Sequence, residues 1–166
     1  MADILEIRSD IAQQVVAAMR VQLLPGETQR LEKKATVNPE AHRLYLLGRF
    51  FWNQSTPDSA KKAIGYFEQA LEKDPNYALA YVGLADDYLL LATIARAPLK
   101  AVVPKAQAAA LKALELDNGL GEAHAALADL KSKEWDWTGA EAEYRRAIEL
   151  NPNYATVHHR YAGLLA

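Results

Sequence analysis

The chain has 166 residues, 51% of them apolar and 24% charged, which is the balance of a folded globular segment with enough material for a sizeable core. A formal net charge of -2 and a pI near 6.1 leave no basic footprint for nucleic acid. The absence of cysteine removes disulfides, thiolate metal sites and a thiol nucleophile.

Residues 3–23 form the first periodic segment. Ile4, Ile7, Ile11, Val15, Ala18 and Gln22 fall three or four apart, and Asp3 with Glu6 has capping-box spacing. Met1-Ala2-Asp3 lacks the basic start and apolar core of a signal peptide. Pro25-Gly26 stops this helix, and a short polar helix over 27–34 is expected next. Asn38-Pro39-Glu40 then opens a helix to about Asn53, with asparagine as N-cap and proline at the first helical position. Ser55-Thr56-Pro57-Asp58 caps its partner, which carries Ala63, Phe67 and Ala70 and ends at Asp74-Pro75-Asn76. A helix over Tyr77 to about Ala92 follows. Thr93 to Val103 is expected to be a long turn with at most one helical turn, because a helix across Pro104 loses a backbone hydrogen bond and clashes. The next helix carries Ala106, Ala110 and Ala113 and ends at Asp117-Asn118-Gly119. The longest apolar run, Tyr88 to Ala95, is far short of the roughly 18 residues a spanning helix requires.

Gly121 to Tyr154 is the most regular stretch. It reads as two short amphipathic helices, the second with Ala140, Tyr144 and Ala147 on one face, closed by Asn151-Pro152-Asn153. A further first helix begins at Ala155. The small residues Gly48, Ala85, Ala128 and Ala162 are 37, 43 and 34 apart, and the breakers Pro75, Asn118 and Pro152 are 43 and 34 apart. A 34-residue period accounts for all of these spacings, with three extra residues in the first unit and nine in the second, expected within the intra-unit turns. A helical hairpin of this kind cannot bury its apolar stripe alone, so the units are expected to stack on one continuous core.

The register resembles the tetratricopeptide repeat. The matching residues are Leu47-Gly48-x-x-Phe51, Ala63-x-x-x-Phe67 and Pro75; Leu84-Ala85-x-x-Tyr88, Ala106-x-x-x-Ala110 and Asn118; and Leu127-Ala128, Ala140-x-x-x-Tyr144 and Pro152. Lys131, Ala110 and Asn118 depart from the pattern. The resemblance implies an all-α fold: a superhelix of antiparallel helix pairs with an N-terminal helical extension. Its divisions would be a helical cap over 1–37, units over 38–76, 77–120 and 121–154, and the first helix of a fourth unit over 155–166. More narrowly, Asp3-Ile-Leu-Glu-Ile-Arg-Ser-Asp-Ile-Ala, Tyr45-Leu-Leu-Gly-Arg, Ala78-Leu-Ala-Tyr-Val-Gly-Leu-Ala-Asp and Glu134-Trp-Asp-Trp resemble the repeat regions that follow a TolB-like domain in multidomain bacterial regulators. Those proteins carry a winged-helix DNA-binding domain or a serine/threonine kinase domain. In that setting the segment is an excised cytoplasmic piece of a larger regulatory protein.

The resemblance also implies a non-catalytic scaffold that binds a protein or peptide partner on the inner wall of its first helices. That wall would present Tyr45, Arg49 and Trp52, then Val82, Asp86 and Leu89, then Glu122, Ala125, Asp129 and Ser132, with Arg49 and Trp52 as anchors. Some relatives hold a chaperone C-terminal carboxylate in a basic clamp. The matching positions here are Tyr45, Arg49, Gly83, Glu122 and Ala126, so chaperone docking is not implied. Self-association through the apolar face of the last helix is the alternative reading. No metal, cofactor, nucleic-acid or membrane partner is expected of this segment.

Catalysis has little to stand on. His124 and His158 are 34 apart and so equivalent, which suits a packing position better than a metal site lacking further convergent ligands. No phosphate loop, serine elbow or H-E-x-x-H pattern occurs. Trp135 and Trp137 flank Asp136 at the third unit's turn, where buried packing is expected, with Asp136 or Thr138 capping the following helix.

Overall fold

The computed structural model describes residues 11, 14, 36 and 38–166. The expected segments 3–23 and 27–34 lie outside them, apart from Ile11 and Gln14, both helical. The described residues form seven helices and no strand: α1 (Pro39–Trp52), α2 (Pro57–Lys73), α3 (Ala78–Ile94), α4 (Leu99–Leu116), α5 (Gly121–Lys133), α6 (Trp137–Leu150) and α7 (Ala155–Leu165). They pair in sequence as α1 with α2, α3 with α4 and α5 with α6, and each second helix packs back on the first helix of the next unit. First helices also touch one another, α1 to α3, α3 to α5 and α5 to α7, so they form the closely spaced side of the stack.

The helix ends are set by local chemistry. Asn38 accepts from the Glu40 and Ala41 backbone N–H groups at the start of α1. Thr56 and Ser59 form a reciprocal capping box at the start of α2. Each inter-unit turn closes with the same bond: Tyr77 N–H donates to Asp74 O, Leu120 N–H to Asp117 O and Tyr154 N–H to Asn151 O, at 3.1–3.2 Å. Asn118 in place of proline leaves that geometry intact. Two histidines reinforce the equivalence. His124 Nε2 lies 3.2 Å from Asn118 O and His158 Nε2 lies 2.8 Å from Pro152 O, each imidazole reaching back six residues to its breaker. His124 Nδ1 also pairs with Glu143 at 2.7 Å. Both rings fasten turns, as a packing role requires.

The second unit departs from the sequence expectation. Helix α4 begins at Leu99 and runs through Pro104, and the turn before it is only residues 95–98. α3 and α4 have 17 and 18 residues against 13 and 14 in α5 and α6, so the insertion lengthens the two helices far more than the turn. Proline is tolerated because the carbonyl it leaves without an N–H partner belongs to Lys100, which is exposed along with Pro104 and so within reach of water. Adding the residues at the facing ends of both helices preserves their register through the core.

Phe67 of α2 is fully buried in the main core, with Ala63, Leu84, Ala85, Leu89, Ala106, Ala110 and Leu130 in the same cluster. Two glycines make room for its ring. A Cβ on Gly48 would lie 2.5 Å from Phe67 Cε1, and one on Gly83 would lie 2.6 Å from the same atom. Gly48→Ala is therefore expected to lower stability by about 1–3 kcal/mol through overpacking, despite alanine's better helix propensity. Chemical denaturation checks this, and an unchanged or raised stability would contradict it. Helix α3 is apolar around most of its circumference because it lies between α1, α2, α4 and α5.

Each intra-unit turn places one non-glycine residue in the left-handed region: Ser55 at φ 50°, Arg96 at 51° and Trp135 at 65°. Glycine meets least resistance there, and a tryptophan is an unusual occupant. Trp135 and Trp137 are not packed inside the turn as expected. They are 76% and 50% exposed, with rings edge to face at 5.3 Å. Asp136 between them is the N-cap of α6, accepting from Gly139 N–H at 2.9 Å, while Thr138 lies within the helix. The cap fixes the backbone and leaves both indoles largely accessible to solvent.

Candidate binding groove

The first helices bring several of the expected wall residues together. Trp52 from α1, Asp86 and Leu89 from α3, and Asp129 and Ser132 from α5 line one cavity of about 450 Å³. Trp52 serves both core and groove, since it packs against the main cluster and also lines the cavity. The guanidinium of Arg49, one turn earlier, lies 4.5 Å from the Trp52 ring centroid. The other expected positions are elsewhere. Tyr45 packs on Phe67 and Tyr77, with ring centroids 5.8 and 5.1 Å away. Val82 is buried with Ala113 and Ala123. Glu122 accepts a hydrogen bond from the Asn151 amide at 3.1 Å, and Ala125 is fully buried beside Tyr144 and Val157.

The cavity is completed by residues that the stripe reasoning did not select. Arg160 of α7 is central: its Nη1 lies 3.0 Å from Asp86 Oδ1 and 2.7 Å from Asp129 Oδ2. One guanidinium thus joins three first helices. Tyr144 of α6 donates its hydroxyl proton to Asp129 Oδ1, bringing a fourth helix into the network. The chain period could have pointed to Arg160, because it stands 34 residues after Ala126 and 77 after Gly83, where the second and third units have small residues. A large cation at a small-residue position must reach across the wall. Trp137 and Leu164 close the remaining sides.

Burial dominates the electrostatics here. It raises the Asp129 pKa, and the opposing effects of Arg160 and the Tyr144 hydroxyl do not cancel that rise. It pushes the Tyr144 hydroxyl up too, helped by the Asp129 charge. Burial disfavours the charge on Arg160, yet Asp86 and Asp129 together hold its pKa above the ordinary value. Tyr154 is pushed up to about 12, by burial first and then by Asp86. Behind the wall, Asp87 is fully buried with no hydrogen-bond partner for either oxygen, and its pKa is pushed up to about 8 by burial and by the neighbouring Asp86. Among the described residues no cluster of His, Cys, Asp or Glu could hold a metal ion, and no helix is long and apolar enough to cross a membrane. The carboxylates of the cavity are engaged by arginine and tyrosine, and its walls are largely aromatic and aliphatic.

Stacked helical hairpins with closing turns of one geometry and a shared core define an α-solenoid, and the particular fold is that of tetratricopeptide-repeat domains. The first such domain of Spaghetti (RPAP3), solved bound to the HSP90 peptide SRMEEVD, superposes with a TM-score of 0.60 at 17% identity, covering 76% of this chain and 91% of that one. The Arabidopsis OM64 domain gives 0.60 at 18% identity, over 75% and 93% of the two chains. The yeast Sti1 TPR2AB domain, in complex with pHSP90, gives 0.56 at 17% identity and covers 95% of this chain and 60% of that one. No family model matches the sequence. Among curated proteins, the transcriptional regulator HilA of Salmonella typhimurium is 24% identical over 156 residues, which is 92% of this chain and 28% of HilA. The putative adenylate cyclase 3 of Rhizobium meliloti is 32% identical over 83 residues, half of this chain and 14% of that protein. The chain therefore spans less than a third of the length of either relative.

Proposed function

We propose that this chain is a non-catalytic member of the tetratricopeptide-repeat family whose first-helix wall receives a segment of a partner protein, with units over 38–76, 77–120 and 121–154 and a fourth begun at 155. The observation that carries this reading is the cavity of about 450 Å³ lying across successive first helices, with Trp52, Asp86, Leu89 and Asp129 in its lining. A concave, mixed aromatic and polar surface on a repeat array suits an extended or helical peptide. The solved complexes of the same fold with chaperone peptides support the mode, although the basic clamp positions differ here. Similarity to the far longer HilA and to a putative adenylate cyclase supports a place within a larger bacterial regulatory protein.

A photo-crosslinking side chain placed at Ser132, in the cavity, tests the groove directly. It is expected to label discrete partner segments from a bacterial lysate that the same group at Glu72, exposed on α2, does not label. Equal labelling from both positions would remove the groove reading. Arg49→Ala is expected to weaken binding of a captured segment by about ten-fold with little change in melting temperature. Trp52→Ala is expected to lower binding and stability together, because Trp52 also packs against the core.

A further inference from the structure

We propose that the groove takes a bulky uncharged side chain of the partner segment, aromatic or leucine, which lodges in the cavity against Trp137 and is covered at the rim by Trp135. This rests on the groove reading above and adds the chemistry of the partner. The charged residues of the lining cancel, with Arg160 and Lys133 against Asp86 and Asp129. They are also engaged among themselves. Arg160 pairs with both carboxylates, the Tyr144 hydroxyl takes the other Asp129 oxygen, and the second Asp86 oxygen is buried out of reach. Lys133 stands exposed to water, where its charge is screened. A charged side chain entering the cavity would therefore shed its water without meeting a free counter-charge, so charge complementarity calls for a neutral one.

The remaining wall is apolar. Trp52, Leu89, Leu90, Trp137 and Leu164 line the same cavity of about 450 Å³, which is room for a large side chain. Trp137 is only half buried, and the Trp135 ring stands edge to face with it at 5.3 Å, so the apolar surface continues from the cavity to the rim. The backbone supplies an independent observation. Trp135 sits at φ 65°, where a side chain is strained and glycine is not, and its indole is 76% exposed. Its side chain thus brings strain to the turn and little burial in return. Fold stability alone would favour glycine at this position, whereas an apolar guest in the cavity would bury the indole that the chain leaves open. Aromatic anchors of this kind dominate binding energy where they become desolvated.

Degenerate peptide pools that differ only in one fixed central residue provide the test, with the whole chain as receptor and fluorescence anisotropy as readout. Pools centred on tryptophan, phenylalanine or leucine are expected to bind about ten-fold more tightly than those centred on asparagine, lysine or glutamate, and to change little as salt is raised. Trp137→Ala is expected to weaken the apolar pools about five-fold. Trp135→Gly is expected to weaken them about three-fold while leaving the melting temperature unchanged or raised, a combination that a merely structural indole would not give. A melting temperature lowered by Trp135→Gly, or apolar pools that bind both variants as they bind the parent, would overturn the proposal. Preference for a charged pool, or equal binding of all pools, would overturn it and leave the groove reading standing. Failure of every pool to bind would overturn both.

Discussion

Raising the pH from about 5 to about 8 is expected to destabilise this chain, and Asp87→Asn is expected to remove most of that loss. Asp87 is completely buried in α3, and neither carboxylate oxygen has a hydrogen-bond partner. Burial raises its pKa from the ordinary 3.8 to about 8, the charge of Asp86 adds to the rise, and Arg49 opposes it. Between those two values the folded chain holds a proton that the unfolded chain has released. The stabilising contribution is therefore complete below about pH 4 and falls by roughly 1.4 kcal/mol for each pH unit, until the folded group also ionises near pH 8. Asp129, whose pKa is also raised by burial, acts in the same direction. Asparagine keeps the shape of the side chain and cannot ionise. Urea denaturation at a series of pH values checks the prediction. Parallel curves for the parent chain and Asp87→Asn would show that Asp87 does not hold its proton.

Asp87 also shows what a repeat pattern reveals and what it conceals. The period places it at the position of Leu130, 43 residues later and 1% exposed in the core. Neither Asp87 nor Leu130 belongs to the small-residue pattern, but the helix and its pairing with its neighbours followed from spacing, because alanines and glycines recurring at a fixed period mark where helices touch. Phe67 and its two facing glycines are the clearest case. Where spacing failed, local energetics decided. Pro104 was tolerated inside α4 because its orphaned carbonyl lies at an exposed residue, which no periodicity records. Trp135 and Trp137 stay exposed because Asp136, committed as the cap, fixes the turn between them.

The groove was legible only in part for a related reason. The family resemblance supplied the stripe on each first helix, and Trp52, Asp86, Leu89 and Asp129 from those stripes line one cavity. It could not say that Tyr45 would turn into the aromatic cluster with Phe67 and Tyr77, or that Val82 would meet Ala113. Those outcomes depend on the offset between neighbouring units, which a single helix does not encode. The largest omission, Arg160, lies on a helix from which no stripe was drawn, and its reach is visible only once α3, α5 and α7 are side by side.

Arg160→Met is accordingly expected to cost about 3–5 kcal/mol, a larger effect than removing any one surface charge. The Arg160 side chain is only 17% exposed, and the Asp86 side chain it faces is 2% exposed. Methionine keeps much of the apolar stem but strands a buried carboxylate, and the expense of that unpaired charge exceeds the net benefit of the original pair. The loss should be unevenly distributed. Among the described residues α7 packs mainly on α5 and α6, and Arg160 is what ties it to α3, so without the arginine its amides are expected to exchange with solvent sooner than those of α3. The double variant Arg160→Met with Asp86→Asn separates charge from packing, because it removes both the cation and the carboxylate it would leave stranded. Recovery of about half the lost stability is expected if the unpaired charge dominates, and hydrogen exchange over α7 should slow in parallel. A single variant within about 0.5 kcal/mol of the parent would mean that the network adds no stability. The cavity wall contributed by α7 would then be held by Val157 and its apolar neighbours alone.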